Sequence, residues 1–296
     1  MKPQTKAYLL AFTAILFWST VASAFKISLE YIDYKSLLFY SSITSLVILS
    51  IIIVANGQLR KLWSIKRSDL IISMLLGFLN PLLYYLILFK AYDILPAQEA
   101  MTLNYTWPLV LALLSAPMLG QKLTFKSLIA LLVSFSGILI IATNGKPASL
   151  NFTNLHGDLL AIGSSLIWAL FWLLNVKSLL GETMKLFLNF FWGSLYMLIL
   201  MLATGSLYMP DIYGLGGAIY VGAFEMGITF VFWLKAMQLT ERTDKISQLV
   251  FLSPFLSLVF IHIFVGETIK PYTLGGLILI ILGILIQQYS RKVKNI

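Results

Sequence analysis

The sequence predicts an all-α integral membrane protein, in which ten transmembrane helices form two inverted five-helix repeats around a central cavity. Three observations support this fold class: an apolar composition, ten recurring apolar runs, and a similarity between the two halves of the chain. Of the 296 residues, 59% are apolar and 11% are charged. Soluble domains are roughly a quarter charged, so this chain has too little polar surface to be solvated in water.

The ten apolar runs are each about long enough to cross a membrane, because a hydrocarbon core about 30 Å thick needs about 20 residues per helix. Short polar breaks separate them. The predicted spans are 7–29, 36–55, 69–91, 96–118, 125–143, 157–179, 185–204, 214–238, 246–265 and 272–289. With five spans per half, the second half enters the membrane from the opposite side. We therefore expect one repeat at 1–145 and a second, inverted repeat at 146–296.

The distribution of basic residues predicts the orientation in the membrane. If the N-terminus is cytoplasmic, sixteen of the 21 lysines and arginines lie in cytoplasmic segments and five in external ones. Cytoplasmic loops are enriched in Lys and Arg, so we expect both termini in the cytoplasm and a multi-pass protein of the cell inner membrane. Because these residues are spread over short loops rather than gathered on one surface, we expect no nucleic-acid partner.

The first run has an alternative reading as a secretory signal peptide. Lys2 and Lys6 precede a short apolar stretch, and Ala22-Ser23-Ala24 resembles a cleavage site. We favour a retained helix, because this segment has a counterpart in the second half that a discarded peptide would not need.

The composition argues against several site chemistries. Without cysteine there is no thiolate metal site or Cys nucleophile, and two distant histidines, His156 and His262, cannot form a zinc cluster. A Walker motif and a phosphate-binding glycine loop are absent from the sequence. Since no nucleophile and base converge at one depth, we expect no enzyme activity, no catalytic residue, no metal and no cofactor.

Matching residues recur in the two halves at offsets between 145 and 150. The matched pairs are Ala11 and Ala161, Trp18 and Trp168, Gly77 and Gly222, Asn80 and Glu225, Lys90 and Lys235, Ala91 and Ala236, Pro108 and Pro254, Gly120 and Gly266, and Gly137 and Gly283. Two inverted bundles leave a cavity at their interface near mid-membrane, which rocking can expose to either side. The alternative is a duplicated receptor or scaffold that transports nothing.

Three tryptophans, Trp18, Trp168 and Trp172, lie near the middle of their spans. Lipid-facing tryptophans belong at the membrane interfaces, because the indole N–H has no partner in hydrocarbon. We expect these three to face inward. They either line the cavity or pack helix against helix.

The third span contains Asn80-Pro81, followed one turn later by Tyr84. Proline removes one backbone hydrogen bond, so this helix is expected to be kinked or locally unwound, either at a substrate site or as a purely structural bend. The repeat-related Pro108 and Pro254 are candidate hinges of the same kind.

Polar and ionisable residues within spans are functional candidates because burying them in a membrane is costly. Asn104 and Trp107, three residues apart, should project into the same space. Lys26 either sets topology or binds a substrate carboxylate, and Glu99 either pairs with Lys90 or binds a substrate ammonium. Glu225, at mid-depth, is expected to be protonated, to pair with a cation such as Lys26, or to couple transport to protons.

Several of these motifs resemble the drug/metabolite transporter superfamily in its EamA-type ten-helix branch. The second half carries Pro254, Gly266-Glu267 and Gly283 at the spacing of that branch. The first half is similar to bacterial aromatic amino-acid exporters, in Phe17-Trp18-Ser19-Thr20, Lys26, Glu99, Asn104-Tyr105, Trp107-Pro108 and Gly120-Gln121-Lys122. Two positions depart from the pattern: Glu225 is an unexpected carboxylate for such an exporter, and Gln121 replaces the usual glutamate.

The resemblance implies a central cavity lined by helices 1, 3, 4, 6, 8 and 9, and export of amino acids or similar small metabolites by alternating access without ATP. The expected partners are a small-molecule substrate, the lipid bilayer and protons as one coupling ion. Alternatives left open are other cargo, such as cationic drugs or nucleotide- or lipid-linked sugars, and a non-transporting receptor or assembly protein. Oligomeric state is not determined by the sequence.

Overall fold

The structure, a computed structural model, describes residues 2–119, 125–149, 154–175, 180–240 and 249–292. Within these ranges the chain forms helices and turns and no strand. We number the main helices in chain order. They are α1 Pro3–Ser28, α2 Tyr34–Ala55, α3 Arg67–Ile94, α4 Ala97–Asn104 continued by Trp107–Leu119, α5 Phe125–Ala142, α6 Leu155–Asn175, α7 Glu182–Ala203, α8 Ile212–Leu239, α9 Val250–Val265 and α10 Pro271–Lys292.

Six of these helices, α1, α2, α3, α6, α7 and α8, are long and apolar enough to cross a membrane, and the others include shorter apolar segments. The outward surfaces of the long and the shorter helices carry exposed aliphatic side chains, such as Ile51 of α2, Leu132 of α5 and Ile199 of α7. Water would disfavour so much exposed apolar surface, whereas lipid solvates it. The predicted apolar membrane helices are therefore present, while the crossing of the membrane by all ten stays a prediction.

The helices of the two halves pack reciprocally. The first helix, α1, packs against α8 and α9, and its predicted counterpart α6 packs against α3 and α4. Helix α2 packs against α7 and α8, and α5 pairs with α10. Each of these contacts joins the first half of the chain to the second, so the centre of the bundle is formed by both.

Glycines at matching positions permit two close helix contacts, α3 with α7 and α8 with α2. A Cβ atom on Gly77 of α3 would lie 2.6 Å from the Asn189 carbonyl oxygen of α7. On Gly222 of α8 it would collide with the Ser41 carbonyl oxygen of α2. Because any larger side chain would force the helices apart, glycine is what allows both close approaches.

Helices α3 and α8 are both interrupted near their middles, at wider helical segments that span Phe78–Leu83 and Gly222–Gly227. In α3 the backbone is extended at Asn80, with φ −147° and ψ 119°, and the Asn80–Pro81 peptide is cis. In α8 the irregular residue is Gly227, with φ −103° and ψ −92°. The interruption of the third span that the Asn80-Pro81 sequence predicts is thus present, and α8 has one at the matching point.

Candidate functional site

The two interrupted helices and the pairs α1–α8 and α4–α6 bring aromatic rings together inside the bundle. Trp168 of α6 lies at the centre of this group: its ring centroid is 4.6 Å from that of Tyr84 on α3 and 6.5 Å from that of Trp107 on α4. Trp172 lies one turn further along α6, at 5.8 Å from Trp168. We call this group, which also includes Trp18, Tyr85 and Phe230, the central cluster.

Trp18 joins the central cluster through an intermediate ring. Its centroid is 5.9 Å from that of Phe230 on α8, which is in turn 6.0 Å from that of Trp168. Trp18 also lies 5.3 Å from Trp233. The three tryptophans predicted to face inward therefore all contact other aromatic rings inside the bundle, as expected for indoles that are kept away from lipid.

Amide and hydroxyl groups connect α3, α4 and α6 beside these rings. The Tyr84 hydroxyl donates to Asn104 Oδ1 at 3.4 Å, and Asn104 Nδ2 donates to Ser164 Oγ at 2.8 Å. A second α4–α6 hydrogen bond joins Thr106 Oγ1 to Ser165 Oγ at 3.0 Å. Polar groups in a membrane interior need such partners, so this network fixes the orientation of Tyr84 and Asn104.

Glu225 lies in the interrupted segment of α8, half-buried, and accepts a hydrogen bond from the Tyr85 hydroxyl of α3 at 3.0 Å. Tyr85 was not among the predicted site residues, although it directly follows Tyr84. Asn80, the predicted counterpart of Glu225, is buried, and its Oδ1 has no hydrogen-bond donor in the part of the chain that the structure describes. The Tyr85–Glu225 hydrogen bond thus joins α3, just beyond its interruption, to the interrupted segment of α8.

Lys26 does not lie beside Glu225, so the suggested pairing of these two residues is wrong. Its ammonium donates to the carbonyl oxygens of Tyr92 at 2.9 Å and Leu95 at 2.8 Å, at the C-terminal end of α3. Unpaired carbonyls and the negative end of the helix dipole attract a cation there. Lys26 therefore joins α1 to the α3–α4 corner.

The N-terminus of α4 is held by the connection between α9 and α10. The Glu267 carboxylate accepts hydrogen bonds from the backbone N–H groups of Ala97 at 2.6 Å and Gln98 at 3.2 Å. Gln98 also donates to the Thr268 carbonyl oxygen at 3.1 Å and accepts from the Lys270 backbone N–H at 3.1 Å. We call these contacts the end latch. A carboxylate satisfies the free N–H groups of a helix start, so the latch ties the two halves together at this end.

Glu99 follows directly in α4 and lies 6% exposed, facing Asp158 of α6. Its suggested partner Lys90 instead forms a salt bridge with Asp93 at 2.7 Å. Glu99 lines a cavity of about 440 Å³ at the same end of the bundle. Along α6, Asp158 lies ten residues from Trp168 of the central cluster, which is about 15 Å or three helical turns. The other lining residues include Lys26, Gln98, Glu267, Lys270, Tyr272 and Thr273.

The three predicted hinge prolines each lie at a helix irregularity. Pro81 is in the interruption of α3, and Pro108 follows the break between Asn104 and Trp107 in α4. Pro254 is the second residue of the α-helical part of α9, which begins at Ser253. Whether they act as hinges stays a prediction. The Gly120-Gln121-Lys122 motif lies outside the described residues.

The structure adds residues that the sequence did not single out: Tyr85, Gln98, Asp158 and Phe230. In the described ranges no three His, Cys, Asp or Glu side chains are grouped to hold a metal ion. The central cluster and the groups beside it present aromatic faces, amides, hydroxyls and the Glu225 carboxylate. Such groups suit the reversible binding of a small molecule.

Comparison with known proteins gives matches along nearly the whole chain. The family model described as the EamA-like transporter family matches residues 5–143 and again residues 155–287. An uncharacterized transporter in the sor 3' region of Acidianus ambivalens is 30% identical over 70% of this chain and 80% of its own length. The uncharacterized transporter YvbV of Bacillus subtilis is 25% identical over 99% of this chain and 95% of its own length.

One solved structure, described as the crystal structure of a protein, shares this fold. Its TM-score is 0.66 at 19% sequence identity, covering 98% of this chain and 99% of that one. At this identity the likeness concerns the fold alone.

Proposed function

The chain belongs to the EamA-like transporter family, and from this premise we propose that it is a secondary transporter that exports amino acids or similar small metabolites by alternating access. Membership makes it a multi-span membrane transporter, as its relatives are named, and points away from an enzyme. The substrate, the direction and the mechanism are our proposal.

One observation carries the proposal: the central cluster lies where helices of both halves meet, and its residues Tyr84, Tyr85 and Phe230 closely follow the two interrupted segments. The cluster consists of aromatic rings from α1, α3, α4, α6 and α8. The Glu225 carboxylate accepts a hydrogen bond from one of its members, Tyr85. Aromatic faces and a carboxylate attract an ammonium group, and flat rings stack on a planar side chain. Asn104 and the tyrosine hydroxyls provide hydrogen bonds for a carboxylate or carbonyl of the substrate.

The two-repeat organisation supports alternating access. The family model matches twice, at 5–143 and 155–287, and the contacts of α1 with α8 and α9 mirror those of α6 with α3 and α4. Two similar bundles of opposite orientation have two equivalent packings, which expose the cavity to opposite sides. In this proposal the chain has ten membrane helices, in repeats at 1–145 and 146–296.

The proposed orientation places both termini in the cytoplasm and the end latch outside. Reporter fusions after Gln58 and after Lys292 should then read as cytoplasmic, and one after Lys146 as external. An external C-terminus would contradict both the helix count and the inversion.

Counterflow in proteoliposomes tests the function directly, with a panel of aromatic, aliphatic and acidic amino acids and an aromatic amine that lacks the carboxylate. We expect saturable exchange of aromatic or aliphatic amino acids. Trp168→Ala should weaken binding by roughly 1 to 3 kcal/mol, the range for losing an aromatic anchor. Trp63, which is 94% exposed in a connection, gives the matched control Trp63→Ala.

The outcomes of this panel distinguish an amino-acid exporter from an organic-cation carrier and from a non-transporting receptor. Transport of the amine but of no amino acid would identify an organic-cation carrier, for which the same aromatic faces and Glu225 are suited. Absence of flux for every compound in a protein that remains folded would favour the non-transporting receptor. Equal flux in Trp168→Ala and Trp63→Ala would remove the central cluster from the binding site.

A further inference from the structure

We propose that Glu99 and Asp158 form a proton-binding site at the contact of α4 with α6, open to the cavity at the latch end. This site is separate from Glu225. The Glu99–Asp158 site does not depend on the proposed function for its existence. A role of this site in proton-coupled transport does rest on the proposed function.

The fold brings these two carboxyl groups together through a glycine. Gly157 lies against the α3–α4 corner, where a Cβ atom on it would be 2.6 Å from the Leu95 side chain. This close approach places the first turn of α6 against the first turn of α4. Asp158 and Glu99 then lie within hydrogen-bonding reach of each other, 2% and 6% exposed.

The pair needs a proton because protein groups do not donate hydrogen bonds to all of its carboxyl oxygens. Within the described residues, no hydrogen bond is donated to either carboxylate oxygen of Asp158 or to Oε1 of Glu99. Two ionised carboxylates are acceptors only and repel each other, whereas an acid and a carboxylate share one hydrogen bond. Burial makes two adjacent negative charges more costly still.

The charged groups around the pair do not replace the proton. The Lys26 ammonium is taken up by two carbonyl oxygens, and Lys270 is exposed at the rim of the cavity. Glu267 adds negative charge near Glu99, and Tyr272 lines the same cavity as an uncharged phenol. The surroundings therefore favour retention of one proton by the pair.

The cavity supplies a route for this proton. It has a volume of about 440 Å³, which is room for several waters, and Glu99 lies in its wall. Thr273 also lines it, and its buried hydroxyl has no partner among the described residues, as for a group placed to bond water. On release, the O–H bond of the acid breaks and the proton passes to a cavity water, leaving two carboxylates. On binding, one proton returns and one net charge is lost.

Infrared difference spectroscopy during a pH change tests this without a substrate. The protein is reconstituted as Glu225→Gln, so that the central carboxyl does not contribute. We expect a carbonyl band of a protonated carboxyl that titrates and disappears in Glu99→Gln and in Asp158→Asn. It should remain in the control Glu30→Gln, which removes an exposed carboxylate.

A band unchanged by both Glu99→Gln and Asp158→Asn would overturn the proposal, as would two bands that are lost independently. If an amide variant does not fold, Glu99→Asp keeps the carboxyl and should shift the same band; an unshifted band would also overturn it. Because this readout needs no flux, a failure of the proposed function leaves it intact. Where flux is measurable, Glu99→Gln should abolish its dependence on the pH gradient.

Discussion

Helices α3 and α8 occupy matching places in the two halves, and they agree in packing but differ in chemistry. Gly77 and Gly222 each let a neighbouring helix approach closely. At the same offset, Asn80 is matched by Glu225 and Tyr85 by Phe230. The hydroxyl of Tyr85 bonds Glu225, while Phe230 contacts Trp18 and Trp168 through its ring alone. The comparison indicates that the glycines common to both helices set the packing, and that the polar and aromatic residues that differ set the binding chemistry.

The largest effect is expected for Glu225→Gln, which removes the charge but keeps the shape of the residue that most distinguishes α8 from α3. Transport should fall at least about a hundredfold, equivalent to about 2.7 kcal/mol, or lose its pH dependence. Proteoliposome flux across a range of pH measures it. The control is Glu30→Gln. Wild-type flux at every pH in Glu225→Gln would leave only a structural acid.

The shared packing predicts equal losses of stability in Gly77→Ala and Gly222→Ala. Each added methyl group meets backbone atoms of a neighbouring helix, and overpacking of this kind costs about 1 to 3 kcal/mol. Thermal unfolding followed by tryptophan fluorescence measures it. Gly163→Ala in α6 is the matched control, because a Cβ there meets nothing within 4 Å and a helical alanine should be neutral or stabilising. If one of the two were tolerated as well as the control, the packing equivalence of α3 and α8 would fail.

Tyr85→Phe makes α3 resemble α8 at this position and leaves Glu225 without its donor. Loss of one hydrogen bond to this half-buried acid costs about 1 kcal/mol, which should appear as reduced stability. The same variant should also weaken substrate binding if Tyr85 positions Glu225. Tyr213→Phe, which removes the same hydroxyl from a tyrosine that is 69% exposed, is the matched control. Unchanged stability and flux in Tyr85→Phe would show that this hydrogen bond is replaced by water.

The smallest effect concerns the starts of α2 and α7, which also differ. The Asp33 carboxylate caps α2 and accepts a hydrogen bond from the Tyr208 hydroxyl at 3.0 Å. Gly181, at the start of α7, has no side chain to cap that helix. Burial alone would raise the pKa of Asp33, but its hydrogen bonds, chiefly from Ser36 and Tyr208, hold the pKa below its ordinary value.

A carboxylate with a lowered pKa stabilises the fold above its unfolded pKa, and this stabilisation is lost as the pH falls through the folded pKa. Asp33→Ala should therefore cost about 0.5 to 1 kcal/mol at neutral pH and reduce the acid dependence of unfolding. Asp33→Asn, which retains capping, should lose less stability at neutral pH. Thermal unfolding between acidic and neutral pH measures both, and a parallel pH dependence in wild type and Asp33→Ala would contradict the assignment.

By itself the sequence determined the apolar helices, their approximate ends and the contact of Trp18, Trp168 and Trp172 with other rings inside the bundle. The predicted third span at 69–91 corresponds to α3 at Arg67–Ile94, and the predicted break at Asn80-Pro81 is present. These features depend on local physics. Run length is set by membrane thickness, proline lacks a backbone donor, and an indole N–H needs a partner.

Only the tertiary structure decided which side chains meet. Tyr85 and Glu225 are 140 residues apart, and Glu99 and Asp158 lie on helices of different halves. From its residue type, Lys26 is predicted to set topology or to bind substrate, yet its partners are backbone carbonyls that no residue pattern marks. Helical periodicity gives the face on which a side chain lies. It does not give the rotation or depth at which another helix meets that face, because close packing at residues such as Gly77, Gly157 and Gly222 sets both.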